Sequence, residues 1–140
     1  MMNLNPEDAE IRNLLEKSKT VAVVGLSDRP HRTSHAIARA MQAVGYRIIP
    51  VNPNLMEPVL GEEPYATVEE IPFEVDIVNV FRRSSEVMPV AHDAVTAGAS
   101  ALWMQLGVLN DTAADYARDH GLMVVMNRCI KVDHAWLVGS

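Results

Sequence analysis

The chain has 140 residues and a mass of 15.4 kDa, the size of one domain, and its 49% apolar content is enough for one core. Twelve basic against eighteen acidic residues give a net charge of −6, a field of the wrong sign for a typical nucleic-acid binder, and 21% charged residues beside that apolar fraction argue against disorder. A single cysteine, Cys129, excludes an internal disulfide and a cysteine-only zinc site, and no apolar stretch reaches the roughly 18 to 20 residues of a membrane span.

The start of the chain is polar and acidic, without the basic and then apolar segments of a secretory leader. The expectation is therefore one cytoplasmic domain over 1–140, with neither a membrane nor a nucleic acid as partner. A first short helix is predicted over about 6–17, with Asn5 as N-cap, Pro6 in the first helical position and Ile11, Leu14 and Leu15 on one face. Thr20 to Val24 is β-branched and apolar almost throughout, the signature of a strand buried on both faces. A second helix is expected from near Ser34 to Gly45, with Ile37, Met41 and Val44 at helical spacing.

Arg47 to Val51 reads as the second strand, its Pro50 near the end where a missing N–H matters less. Residues 52–64 read as an irregular loop, followed by a short helical turn at Thr67 to Glu70. A third strand is expected over 75–81, then a helix capped by Ser84 or Ser85 and stopped by Gly98. A fourth strand follows at 101–104, then a helix from Asn110 through His120, ended by Gly121. The fifth strand spans 122–126, and the tail 127–140 has room for a last helical turn.

Five buried-looking strands alternating with helices imply right-handed βαβ units. Gly45, Gly98 and Gly121 each end a helix and lead almost directly into a strand. The fold class is α/β: a Rossmann-like, doubly wound, mostly parallel five-stranded sheet with helices on both faces, its core over about 20–126.

In such sheets ligands sit outside the carboxyl ends of the strands. The most informative of those ends is Gly25-Leu26-Ser27-Asp28-Arg29-Pro30-His31-Arg32-Thr33-Ser34. A glycine after a buried strand lets a phosphate approach the backbone, and a helix start supplies free N–H donors and a positive dipole end. Arg29 and Arg32 add cations, and Ser27 and Ser34 add hydroxyls. The dinucleotide fingerprint fails, because no further glycine follows Gly25 in this loop and Asn52 stands where an acid would hold a ribose hydroxyl. A Walker loop is missing too.

The ordered segments Val23-Val24-Gly25-Leu26-Ser27, Gly45-Tyr46-Arg47-Ile48-Ile49-Pro50-Val51-Asn52-Pro53, Val78-Asn79-Val80-Phe81-Arg82 and Asn127-Arg128-Cys129 resemble the stand-alone CoA-binding domain family. That family is similar to the N-terminal CoA-binding domain of succinyl-CoA synthetase α subunits and of ADP-forming acyl-CoA synthetases. The likeness runs from about Thr20 to His134. It implies binding of coenzyme A or an acyl-CoA, with no catalysis by this domain alone. Gly25 and the turn from Ser27 to Arg32 would face the phosphates, and Asn52, Pro53 and Asn54 would line the end of the second strand. Val80, Phe81 and Arg82 would flank the adenosine or pantetheine, with Gln105 and Asn127 nearby. Asn54 departs from the family, whose members often carry lysine there, so the arginines would do more.

Two other readings stay open: a detached CoA-binding subunit of an acyl-CoA synthetase, and a dinucleotide-binding or redox module using Cys129. A protein partner or a homo-oligomer is compatible with either. The five histidines lie in no matching catalytic context, and no His, Cys and acid cluster has metal-ligand spacing. Met41, Met123 and Met126 fit core positions, and Trp103 and Trp136 fit packing or interface roles better than stacking platforms.

Overall fold

The computed structural model describes residues 5–139. Five strands form one parallel sheet in the order β2-β1-β3-β4-β5: β1 (Thr20–Val24), β2 (Arg47–Val51), β3 (Ile77–Val80), β4 (Ala101–Met104) and β5 (Met123–Val125). The helices are α1 (Asp8–Lys17), α2 (Thr33–Ala43), α3 (Val87–Ala97), α4 (Asp111–Asp119) and α5 (Ile130–Leu137). This is the Rossmann-like α/β arrangement that the alternating pattern predicts.

The near-continuous apolar strands are explained by two separate cores, one on each face. On one face Ile11, Leu14 and Leu15 of α1, Ala38 and Met41 of α2, and Ile130 and Leu137 of α5 pack on Val21, Val23, Ile48 and Trp103. On the other, Val87, Ala91 and Ala94 of α3 and Ala113, Ala114 and Ala117 of α4 pack on Ala22, Val24, Val78 and Leu102. The alanines let α3 and α4 approach the sheet closely. Pro50 sits in β2, an edge strand, as its missing N–H requires. The loop after β2 returns along that edge, where the Tyr65 N–H donates to the Pro50 carbonyl at 3.0 Å and Arg47 pairs with Glu62 at 2.8 Å.

Three local expectations are corrected. The N-cap of α1 is Glu7, whose side chain forms a capping box with Glu10. Asn5 instead clips the start of the chain to the end of β5, its amide donating to the Met126 carbonyl at 2.9 Å and accepting from the Met126 N–H at 2.7 Å. Two hydrogen bonds to one backbone unit outcompete a single capping bond. Ser84 does not cap α3; it starts a 3₁₀ turn (Ser84–Glu86), and its hydroxyl accepts from the Leu109 N–H at 2.9 Å, joining the loops after β3 and β4. The tail carries two full turns of helix, α5, rather than one turn; Ile130 and Leu137 bury themselves against the sheet. Elsewhere boundaries shift by a residue or two: α2 begins at Thr33, β3 spans 77–80, and the turn after the long loop is a 3₁₀ helix, Val68–Glu70.

The end of β1 is the tightest point. Gly25 donates to the Val51 carbonyl at 2.8 Å while Phe81 donates to Val24 at 2.8 Å, so the ends of three strands meet there. Gly25 has φ +89°, and a Cβ on it would lie 2.3 Å from the Phe81 carbonyl oxygen. Gly25→Ala should therefore cost at least about 2 kcal/mol, combining backbone strain with overpacking, measured by urea unfolding. Asn5→Ala should cost about 1 to 3 kcal/mol, the worth of two net hydrogen bonds, with an unchanged urea m-value.

Candidate functional site

The chain reverses direction across the sheet after β1: β2 lies on one side of it and β3 on the other, and the helices that follow, α2 and α3, cover opposite faces. The crevice at that switch point is where open parallel sheets hold ligands. Two clefts lie there.

The first, about 280 Å³, is lined by Gly25, Ser27, Arg32, Thr33, Ser34 and Phe81. It opens over the N-terminus of α2. The N-cap of that helix is Arg32, and no side chain caps its first-turn N–H groups, whereas α4 is capped by Asn110, which accepts from Ala113 at 2.9 Å. The first turn of α2 therefore presents free donors and a positive dipole end to the cleft.

Four contacts hold the loop above that turn. The Ser27 N–H donates to Ser34 Oγ at 3.0 Å, and the Ser27 carbonyl accepts from His35 Nδ1 at 2.9 Å. A carbonyl only accepts, so Nδ1 carries the proton. The Arg29 N–H donates to Ser27 Oγ at 3.1 Å, and Asn52 Nδ2 donates to the Leu26 carbonyl at 3.2 Å. Ser34 and His35 are both buried, which locks their geometry.

The second cleft, about 220 Å³, lies across the strand ends on the α3 face, lined by Val24, Val51, Pro53, Thr67, Val68, Arg82, Glu86, Val90 and Asp93 among others. Its walls are largely apolar. Burial, with Glu69 adding to it, pushes the Asp93 carboxyl above the usual range.

The residues expected at the site separate into groups. Gly25, Ser27, Arg32, Ser34 and Phe81 come together in the first cleft, and Pro53 and Arg82 in the second. Arg29 is exposed and outside both linings, and Asn54 is exposed, its N–H donating to Asn52 Oδ1 at 3.0 Å. Asn52 thus spends its amide on Leu26 of the neighbouring loop and on Asn54 of its own. The Val80 side chain is fully buried in the α3-side core and points away from any ligand surface.

Gln105 is buried too. Its Oε1 accepts from Asn79 Nδ2 at 3.2 Å and from the Ile130 N–H at 3.3 Å, tying β3, β4 and α5 together. Asn127, at φ +62°, accepts from the Gly107 N–H at 2.7 Å and so shapes the loop after β4. Cys129 is half-buried at the N-cap of α5. Among the described residues no group of three His, Cys, Asp or Glu side chains could hold a metal ion.

Thr33, His35 and Asn79 escape the sequence reading. Asn79 had a signal: an amide inside the apolar run VDIVNVF needs an internal partner. Thr33 and His35 had none, because their roles depend on how the loop folds back over α2.

Known proteins share this architecture. YneT of Bacillus subtilis (strain 168) is 48% identical over 131 residues, spanning 94% of this chain and 96% of that one. A protein from Pyrococcus horikoshii OT3 superposes with a TM-score of 0.91 at 33% identity, covering 99% of this chain and 100% of its own. The dinucleotide-forming acetyl-coenzyme A synthetase 1 of Ca. Korarchaeum cryptofilum shares the fold, with a TM-score of 0.67 at 23% identity over 78% of this chain and 26% of the synthetase. Residues 19–135 match the CoA binding domain family, and with nearly the whole sheet and all the strand-end loops inside that span, the chain belongs to that family.

Proposed function

We propose that the protein binds coenzyme A or an acyl-CoA through its nucleotide part and catalyses no reaction alone. The observation that carries this reading is the uncapped N-terminus of α2, opening onto a cleft that contains Gly25, Ser27, Arg32, Thr33 and Ser34. Backbone N–H groups, hydroxyls and one guanidinium converge there, which is the chemistry a pyrophosphate needs. Membership of the CoA binding domain family supplies the ligand class.

The second cleft takes the uncharged part of the ligand. Its apolar walls favour a ring or a pantetheine arm, and on its lining the two carboxyls of Glu86 and Asp93 stand against the single guanidinium of Arg82. A bound molecule therefore bridges the end of β1, phosphates on the α2 side and apolar part on the α3 side. The dinucleotide reading loses support, because Asn52 is held by Leu26 and Asn54 and is not free to read a ribose. No helix among the described residues is long and apolar enough to cross a membrane, and a lone cysteine fits a reducing, cytoplasmic site of action.

Three outcomes are expected. Calorimetric titration should give tighter binding for CoA than for NAD, NADP or ATP; equal or tighter NAD binding would overturn the reading. Arg32→Ala should weaken CoA roughly ten- to hundredfold, since charged hydrogen bonds contribute about 1.5 to 3 kcal/mol and 1.4 kcal/mol is tenfold. Arg29→Ala should weaken it less. If Arg32 reads the pyrophosphate, dephospho-CoA should lose as much as CoA; a loss confined to CoA places Arg32 on the 3′-phosphate. The pure protein given CoA, ATP and a panel of carboxylic acids should release no ADP or phosphate, and robust turnover would refute the non-catalytic part.

A further inference from the structure

A third cavity lies away from the strand ends, between α2 and α5. It measures about 370 Å³ and is lined by Ala40, Met41, Val44, Lys131, His134, Ala135 and Gly139. The lining of α2 comes from its last turn and C-cap, the opposite end from the phosphate cleft. With about 1.5 Å of rise per residue, the ten residues from Ser34 to Val44 separate the two sites by roughly 15 Å.

The polar wall residue shared with a second cleft is His134. The residue is only 8% exposed, yet its ring nitrogens are not sealed in the core and open onto the clefts beside it. Its neighbour is the edge of Tyr46, 5.6 Å between ring centroids, an apolar contact. The Tyr46 hydroxyl is already committed to the Leu15 carbonyl. The imidazole stands between this cavity and a neighbouring cleft, lining both. Burial lowers its pKa, so at neutral pH it is a neutral ring with one N–H to donate.

The chemistry of the remaining lining selects the ligand. Ala40, Met41, Val44 and Ala135 offer apolar wall, and Lys131 is the single cation. The adjoining cleft brings Lys19 and Glu16 to the other side of His134. One ammonium and one neutral N–H on the cavity lining suit a single negative charge. Apolar wall beneath such a pair suits a hydrocarbon chain, and the volume is within the range of small-molecule sites.

We infer that the α2–α5 cavity is a binding site for a short aliphatic monocarboxylate, its carboxylate held by Lys131 and His134 and its chain against Met41 and Val44. The probe is hexanoate, followed by the methyl NMR signals of Ala40, Met41 and Ala135 in the full chain. The expected result is saturable shifts of all three, with a dissociation constant below about 1 mM, a plausible affinity for so small a ligand. Lys131→Gln should weaken hexanoate about tenfold and leave hexanol unchanged. His134→Phe should have at least that effect. Ala135→Trp, an exposed position that tolerates a large side chain, should abolish hexanoate binding while CoA still binds as before. Hexylamine binding as well as hexanoate, or no saturable shift with hexanoate, overturns the proposal. So does a dimer, seen by sedimentation over a hundredfold concentration range, that shifts these methyls while hexanoate does not.

Discussion

The end of β1 governs the arrangement of this molecule. β1 is hydrogen-bonded to strands on both sides, and its last residues pass between the ends of β2 and β3. There Gly25 donates to Val51 while Val24 accepts from Phe81, and the Phe81 carbonyl leaves no room for a side chain on residue 25. The tight passage turns the chain sharply out of the sheet toward α2. Because α2 and α3 cover opposite faces, the same point becomes a crevice with one cleft on each side.

Above that passage the loop is held before any ligand arrives. The Ser27 peptide is gripped from both sides by the first turn of α2, its N–H by Ser34 and its carbonyl by His35, while Asn52 holds Leu26 from the second strand. Ordering a loop during binding costs affinity, and a loop fixed beforehand avoids that cost. The polar residues near the site thus divide their work. Ser34, His35 and Asn52 shape the loop, whereas Arg32 and the first-turn N–H groups of α2 are left open to the cleft.

A second polar system fixes the far side of the sheet. Asn79, Gln105 and the Ile130 N–H form a buried chain across β3, β4 and α5, and Trp103 donates to the Arg128 carbonyl at 2.8 Å. Half-satisfied amides would be costly in this interior, so the chain closes only if α5 is docked. Arg128 also pairs with Asp133 at 2.8 Å. The final helix is therefore part of the core.

The strands and helix faces were legible in the sequence because periodicity reports burial directly: TVAVV and VDIVNVF can only be covered on both faces, and glycines mark where helices end. The cleft over α2 was legible through Gly25, Ser27, Arg32 and Ser34, since a strand, a glycine, hydroxyls and a helix start lie within one short segment. What the sequence left undetermined are pairings between distant residues. Asn5 reads as a cap locally, but its partner lies 121 positions away. Ser84 reads as a cap and instead joins Leu109, Asn52 reads as a ligand group until Leu26 engages it, and His35 gains its role only when the folded loop brings it the Ser27 carbonyl. Local propensity weighs one turn at a time, while tertiary structure decides which of several possible partners a polar side chain meets. The cavity between α2 and α5 belongs wholly to that second category, because no segment of the chain contains both of its walls.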